Sequence, residues 1–287
     1  MASATSCGDG PSLPEPRGGF SDSVDDVNRR AWASADGIDR FLDEGWTDPG
    51  ERAAIGHVAA EMANRTILDI GVGAGRTVPL LTAISDDYVA IDYTEALVDL
   101  CRTRHPGRCI AHGDARDLSA FADGSVDLAV FSYNGIDAVD PSGRAAVLRA
   151  VHRVLRPGGA FVVSVHNRAG PGFGETPWGW FEFTANPVRL GWRVLNLAKT
   201  LATGLPNYLR NRSLSRHGEG YSMLPAAAHD FGIVIVYTDL AEQLRQFAMA
   251  GFAVEAVYDN EHGEPVAATG DAGHAWWFHF VVRKPSA

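Results

Sequence analysis

The sequence predicts an α/β protein: a seven-stranded, mostly parallel sheet with one antiparallel strand, helices on both faces, and a cap inserted after strand five. Three observations carry this reading. Short apolar runs alternate with helix-period segments from Thr66 to Val165, the pattern of repeated strand–helix–strand units. A glycine turn, Ile67-Leu68-Asp69-Ile70-Gly71-Val72-Gly73-Ala74-Gly75-Arg76-Thr77, joins a buried strand to a helix. The last two apolar runs, Phe252 to Tyr258 and Trp276 to Val282, have no crossover helix between them and so should pair antiparallel.

The elements follow in order. Residues 1–23 include a Ser/Gly/Pro-rich start with neither a basic beginning nor an apolar core, which reads as a disordered tail. Residues 24–63 hold N-terminal helices that suit a lid. Val24 to Trp46 carries Trp32, Phe41, Leu42 and Trp46, and Asp48-Pro49-Gly50-Glu51 has the signature of a capping box with proline in the first turn. Residues 64–166 and 233–287 form the sheet domain. Its strands are Thr66 to Ile70, Tyr88 to Ile91, Arg108 to Ala111, Asp127 to Phe131 and Ala160 to Val165, followed by the two final runs. Its helices are Thr77 to Ile84, Thr94 to Arg104, Asp140-Pro141 to Leu155, and Thr238 to Ala250. Residues 167–232 break the pattern. They are rich in Gly, Pro, Trp and Arg, with one helix from Val188 to Leu201.

Composition narrows the class. The chain has 287 residues, 46% hydrophobic and 21% charged, ordinary for a soluble globular protein. A formal charge of -10 and a pI near 5.4 argue against a general nucleic-acid surface, which needs a Lys/Arg excess. Cys7, Cys101 and Cys109 form no CxxC pair and no Cys/His ligand spacing, so neither a disulfide framework nor a zinc site is expected. No apolar run is long enough to span a bilayer. The expectation is a cytoplasmic protein with no metal, no membrane and no nucleic-acid partner.

Ligands in such sheets bind at the carboxyl ends of the strands. Three acids lie there in sequence register: Asp69 before the glycines, Asp92 at the end of strand two, and Asp114 after strand three. Asp92 suits two ribose hydroxyls, and Asp114 suits an adenine amino group. A nicotinamide dinucleotide is the competing ligand. The Gly-x-Gly-x-Gly spacing departs from that fingerprint, and a carboxylate at Asp69 repels a pyrophosphate but suits an ammonium.

From Glu51 to Lys284 the chain resembles the class I S-adenosylmethionine-dependent methyltransferases, which have a Rossmann-like sheet. The resemblance rests on Leu68 to Gly75, Ile91-Asp92-Tyr93, Gly113-Asp114-Ala115, Leu155-Arg156-Pro157-Gly158-Gly159, the Ala250-Gly251-Phe252 turn and the reversed final strand. It implies that Gly71, Gly73 and Gly75, with Asp69 and Arg76, approach the methionyl part of S-adenosyl-L-methionine. It also implies that Asp92 holds the ribose, that Asp114 and the Ala115 backbone read the adenine, and that Tyr93 lies on its face. Ser132 and Asn134, in the loop after strand four, are further cofactor-side contacts. S-adenosyl-L-homocysteine is the implied product.

Methyl transfer needs alignment and water exclusion, and a base only where the acceptor loses a proton. The loop Phe131 to Asp137 lacks the Asn/Asp-Pro-Pro-aromatic motif of enzymes that methylate nucleic-acid bases or glutamine. The cap therefore decides the acceptor. Trp178, Trp180, Phe181 and Tyr221 in it, with Trp32 ahead of the sheet, are candidate substrate contacts. His166, ending strand five, is the best-placed base. Tyr221 and His229 are weaker candidates, while His274 and His279 read as structural. In the cap helix, Leu190, Val194, Leu197 and Leu201 share a face, with Arg189, Arg193 and Lys199 elsewhere. That reads as a packed helix with a solvated side. Arg210, Arg212 and Arg216 add local positive charge.

The Ala/Arg/Gly-rich composition is similar to actinobacterial small-molecule methyltransferases of natural-product biosynthesis. Within them, the Asn134-Gly135 loop and the Trp-rich cap resemble enzymes acting on carbon 3 of an indole in tryptophan-containing diketopiperazines. The alternatives are O- or N-methylation of a sugar, polyketide or other small metabolite, and a cofactor-binding regulator without catalysis.

Overall fold

Ile67–Ile70 (β1) is buried along its whole length and lies inside the sheet, with a strand paired on each side. The computed structural model describes residues 22–34, 46–179, 183–267 and 273–286. Ahead of β1 lie helices α1 (Asp22–Trp32) and α2 (Pro49–Ala59). After it come α3 (Val78–Thr82), β2 (Tyr88–Asp92), α4 (Glu95–Arg104), β3 (Cys109–His112), β4 (Val126–Phe131), α5 (Pro141–Val154) and β5 (Leu155–His166). The insertion holds α6 (Pro187–Asn211), β6 (Arg216–Gly218), β7 (Tyr221–Ala226) and β8 (Ile233–Thr238). The chain then completes the main layer with α7 (Leu240–Met249), β9 (Ala253–Asp259) and β10 (Trp277–Arg283).

The main sheet runs β3-β2-β1-β4-β5-β10-β9, with β10 antiparallel to both its neighbours. The architecture is the expected one. Alternate residues feed two cores: Leu68, Ile70, Ala129 and Val163 on one face, Ile67, Leu128, Val130 and Val162 on the other. Three helices start with the same device, an Asx cap followed by proline: Asp48-Pro49, Asp140-Pro141 and Asn186-Pro187.

Two details differ from expectation. The capping box at α2 is half made. Asp48 accepts from the Glu51 backbone N–H at 2.8 Å, but the Glu51 side chain turns away to the Arg76 guanidinium. A buried carboxylate gains more from that charge than from a single backbone N–H. The insertion contains its own three-stranded antiparallel sheet, β6-β7-β8, whose last strand uses residues 233–238, assigned from sequence to the main domain. Ile233 to Thr238 is apolar throughout and does not reveal which sheet it joins. The tail to residue 21 and the Phe41 and Leu42 positions lie outside the described residues.

Asp48 is also the tie between α2 and the reversed strand. Its second oxygen accepts from Trp277 Nε1 at 3.0 Å and meets His279 Nε2 at 3.0 Å. Burial raises the Asp48 carboxyl pKa, but the hydrogen bond and charge of His279 and the other donors outweigh it, leaving a net value below the usual range. A depressed pKa means stability that is present above the unfolded value and lost as pH falls through the folded one. Asp48→Ala is expected to cost about 2–4 kcal/mol in urea unfolding at pH 7, from the lost cap and the lost charge-assisted bonds. A loss below about 1 kcal/mol would show that Asp48 does not join these elements.

Candidate active site

The chain turns at the carboxyl end of β1 through Gly71, Gly73 and Gly75, which have φ of 70°, 56° and 101°. Side chains at these angles are strained, and a Cβ on Gly71 would also strike the Phe131 ring at 2.7 Å. The turn stays bare and open to a ligand. Beneath it Asp69 is buried; one oxygen accepts from Thr77 Oγ1 at 2.5 Å and Tyr88 OH at 2.7 Å. Its other oxygen is buried with no hydrogen-bond partner. Burial pushes the Asp69 carboxyl up to about 6, against the pull of Thr77, Tyr88 and Arg76.

Asp92 ends β2 and accepts from the Gly73 N–H at 2.9 Å and the Thr94 N–H at 2.8 Å, which clamps it to the glycine turn. Burial raises its pKa, offset in part by those N–H groups. Tyr93 stands edge-on to Trp32, with ring centroids 5.3 Å apart, and beneath the Arg29 guanidinium at 5.1 Å. Asp114 is held by Arg116, whose terminal nitrogens reach Asp114 at 2.6 Å and Asp25 of α1 at 2.5 Å. These groups line one end of a cleft of about 840 Å³, which also includes Gly71, Gly73 and Ala115. Arg76 lies on its wall, paired twice with Glu51 at 2.7 and 2.8 Å and bonded to Ser132 at 2.8 Å.

At the other end stands His166, the last residue of β5. Asp137 accepts its backbone N–H at 2.6 Å and its Nδ1–H at 2.8 Å. A carboxylate only accepts, so Nδ1 carries the hydrogen and Nε2 of the neutral ring is left as an acceptor. Asp137 is fully buried and pairs with the buried Arg144 at 2.5 Å, which in turn donates to Gln243 at 2.6 Å. The ring sits between Tyr237 at 5.4 Å and Trp277 at 6.0 Å. Glu175 shares this end; burial raises its pKa, and the Ala227 N–H and His166 oppose the shift.

Residues 68–163, about a third of the chain, match the family model described as a methyltransferase domain. A probable S-adenosylmethionine-dependent methyltransferase of Mycolicibacterium smegmatis is 35% identical over 111 residues, covering 39% of this chain and 42% of that protein. The demethylmenaquinone methyltransferase of Clavibacter sepedonicus is 33% identical over 115 residues, covering 39% and 45%. The matched stretch thus spans less than half the length of these curated relatives. The crystal structure of the 1,6-didemethyltoxoflavin-N1-methyltransferase of Burkholderia thailandensis, with S-adenosylhomocysteine bound, superposes with a TM-score of 0.58 at 14% identity, over 93% of this chain and 92% of that one. This is a class I methyltransferase fold.

In this methyltransferase fold the residues at the first end of the cleft fit a sulfonium nucleoside. The turn takes close approach without side chains, Asp92 offers a carboxylate at a strand end, and the Asp69 and Asn134 side chains each keep a buried oxygen with no hydrogen-bond partner. Gly71, Gly73, Arg76, Asp92, Tyr93, Asp114, Ala115, Ser132 and Asn134 all line the cleft, as do Trp32, His166 and His229. Three expectations shift. Gly75 does not line the cleft; a Cβ there would meet His105 and Cys101. Asp69 is absent from the cleft wall and is hydrogen-bonded to Thr77, which lines it. Asp114 shares its oxygens with Arg116, a neighbour whose reach sequence order did not reveal.

The His166 end differs more from expectation. Tyr221 does not line the cleft; it packs in the small-sheet core with Val24 and Met223, because β7 turns its ring to α1. Trp178 is half exposed and stands against Tyr208 at 5.7 Å. Trp180 and Phe181 lie outside the described residues. The aromatic walls come instead from Tyr133, Tyr237, Trp276 and Trp277. One signal for the last was legible. A reversed final strand begins where strand five ends, and Trp277 is the register partner of His166. Asp137 and Glu175 carried no such signal.

The Asp69 carboxyl sets a pH test. Its folded pKa lies above the usual 3.8, so the folded state binds the extra proton and stability falls as pH rises from about 4 to 6. Asp69→Asn removes that slope. Urea unfolding at pH 4.5 and 7 should show the variant gaining roughly 2–3 kcal/mol on the wild type between the two pH values. Parallel curves would mean that the carboxyl titrates normally.

Proposed function

We propose that the chain is an S-adenosylmethionine-dependent methyltransferase acting on a small molecule, with carbon 3 of an indole in a tryptophan-derived diketopiperazine as the acceptor. The observation that carries the reading is one continuous cleft. The bare glycine turn and Asp92 stand at one end, and His166, fixed by Asp137, stands among aromatic rings at the other. S-adenosylmethionine, when bound, supplies an electrophilic methyl group on sulfur.

The chain's residues then have assigned work. Asp92 and the glycine turn hold the nucleoside, while α1 closes that end through Trp32 and the Asp25–Arg116 pair. Trp277, Tyr237 and Tyr133 suit a flat acceptor and exclude water. With the cofactor bound, carbon 3 would bond the methyl as the carbon–sulfur bond breaks onto sulfur; carbon 3 carries no hydrogen, so a diketopiperazine nitrogen would close on carbon 2 as a pyrroloindoline and release its N–H proton. The proton that the acceptor sheds goes to His166 Nε2, and Asp137 stabilises the imidazolium that forms. The same base favours a second reading, O-methylation of a sugar or polyketide hydroxyl.

Calorimetry should find binding of S-adenosylhomocysteine and none of NAD, with affinity falling at least about tenfold in Asp92→Ala. The opposite preference would overturn the cofactor assignment. Incubation with S-adenosylmethionine and cyclo(Trp-Trp) should add one methyl group and remove the absorbance of one of the two indoles, about half of the total. Silence across a panel of tryptophan dipeptides, with turnover on a hydroxylated acceptor, would favour the second reading. His166→Ala should lower kcat by about 10²–10⁴-fold with product affinity retained. Asp137→Asn should lower it less and shift its pH profile. Unchanged turnover in His166→Ala would remove the base.

A further inference from the structure

Helix α6 packs through one side only. Leu190, Leu197, Leu201 and Tyr208 are half-buried, and Gly204 and Asn211 are its two buried residues. The outward side is apolar as well: Val188, Trp192 and Leu195, at i, i+4 and i+7, are 80%, 66% and 68% exposed, and Leu209 continues the stripe. Val194, expected to pack, is exposed too. Seven of the eleven large exposed hydrophobic residues among those described fall between Trp178 and Leu209, so this is a patch and not scatter.

Charge identifies what the patch fits. Residues 183–218 hold six cations, Arg189, Arg193, Lys199, Arg210, Arg212 and Arg216, and no acidic residue, in a chain whose formal charge is -10. Of these, all but the half-buried Arg193 are exposed. A second copy of the chain is disfavoured, because a two-fold contact would press this cationic band onto itself. An exposed helix face with Trp and aliphatic residues outward and Lys/Arg on and beside it matches the interface of an anionic bilayer, where the stems of the cations lie along the apolar zone. No helix among the described residues is long and apolar enough to cross a membrane, so the mode is lying in the surface.

We propose that α6 is an in-plane docking helix that places this protein on anionic lipid surfaces. The proposal stands apart from the catalytic reading, although the same helix is bonded to the cleft rim. Asn207 donates to the Asp230 carbonyl at 3.1 Å and Asn211 to the Phe231 carbonyl at 2.9 Å, directly after His229 on the cleft wall.

The test is co-sedimentation of the full chain with vesicles of equal phosphatidylglycerol and phosphatidylcholine, against phosphatidylcholine alone. Partitioning should favour the anionic vesicles at least about tenfold. It should fall about tenfold in Trp192→Glu or Lys199→Glu, or on raising salt from about 0.05 to 0.5 M. Thermal unfolding and S-adenosylhomocysteine binding should stay unchanged in both variants, which alter exposed positions. Equal partitioning to both vesicles, or none to either, would overturn the proposal. So would a wild-type dimer in sedimentation velocity that Trp192→Glu makes monomeric without vesicle binding, which would assign the face to a second copy.

Discussion

Four parallel strands, β1, β2, β4 and β5, are largely buried on both faces and leave polar chemistry one place to emerge, the strand ends. In β1, β2, β4 and β5 the side chains between the ends feed two dry cores, and a charge placed mid-strand would have to be neutralised there. The functional groups therefore gather on a single edge: the glycine turn after β1, Asp92 at the end of β2, Asn134 after β4 and His166 at the end of β5. Brought together, they form one cleft instead of several sites. The reversed β10 adds to it because an antiparallel neighbour begins where its partner ends, which sets Trp277 beside His166.

Two buried ion pairs hold that edge in shape. Arg76 and Glu51 tie α2 to the glycine turn, and Ser132 joins both. Arg144 and Asp137 tie α5 to the end of β5, with Gln243 of α7 behind them. Such pairs do little for net stability, since desolvation cancels most of the attraction. Their effect is geometric. With Arg144 satisfying one oxygen of Asp137, the other is held on the backbone and ring of His166, which sets both the ring's tautomer and its direction. The left-handed residues Tyr133 and Asn134 carry strain at the same edge, supported by the Ser164 hydroxyl accepting from the Asn134 N–H at 2.6 Å.

The insertion obeys different physics. It is too small to bury all its apolar residues, and its sheet β6-β7-β8 takes Tyr221 into its own core while α6 shows Trp192 to solvent. Aromatic composition alone does not say which rings face a ligand, which face each other and which face out. The strand order was legible because buried parallel strands read as short apolar runs with helix-period segments between them. So were the glycine turn and Asp92, since both sit at sequence positions where a strand must stop. Asp137 was not legible: it lies six residues beyond the end of β4, in a short turn spanning Gly135–Ala138, and acts on a residue 29 positions away.

The sequence by itself determined the sheet, its reversed strand and the glycine-turn end of the cleft, because these follow from local periodicity and from residue types required at strand ends. Only the tertiary structure decided the His166 end. Tyr133 and Asp137 share one loop, Tyr237, Trp277 and Glu175 come from three other segments, and their meeting around His166 depends on how the insertion folds back over the sheet. Short-range pattern records where a chain turns and which face is apolar. It does not record which distant side chains share a cavity.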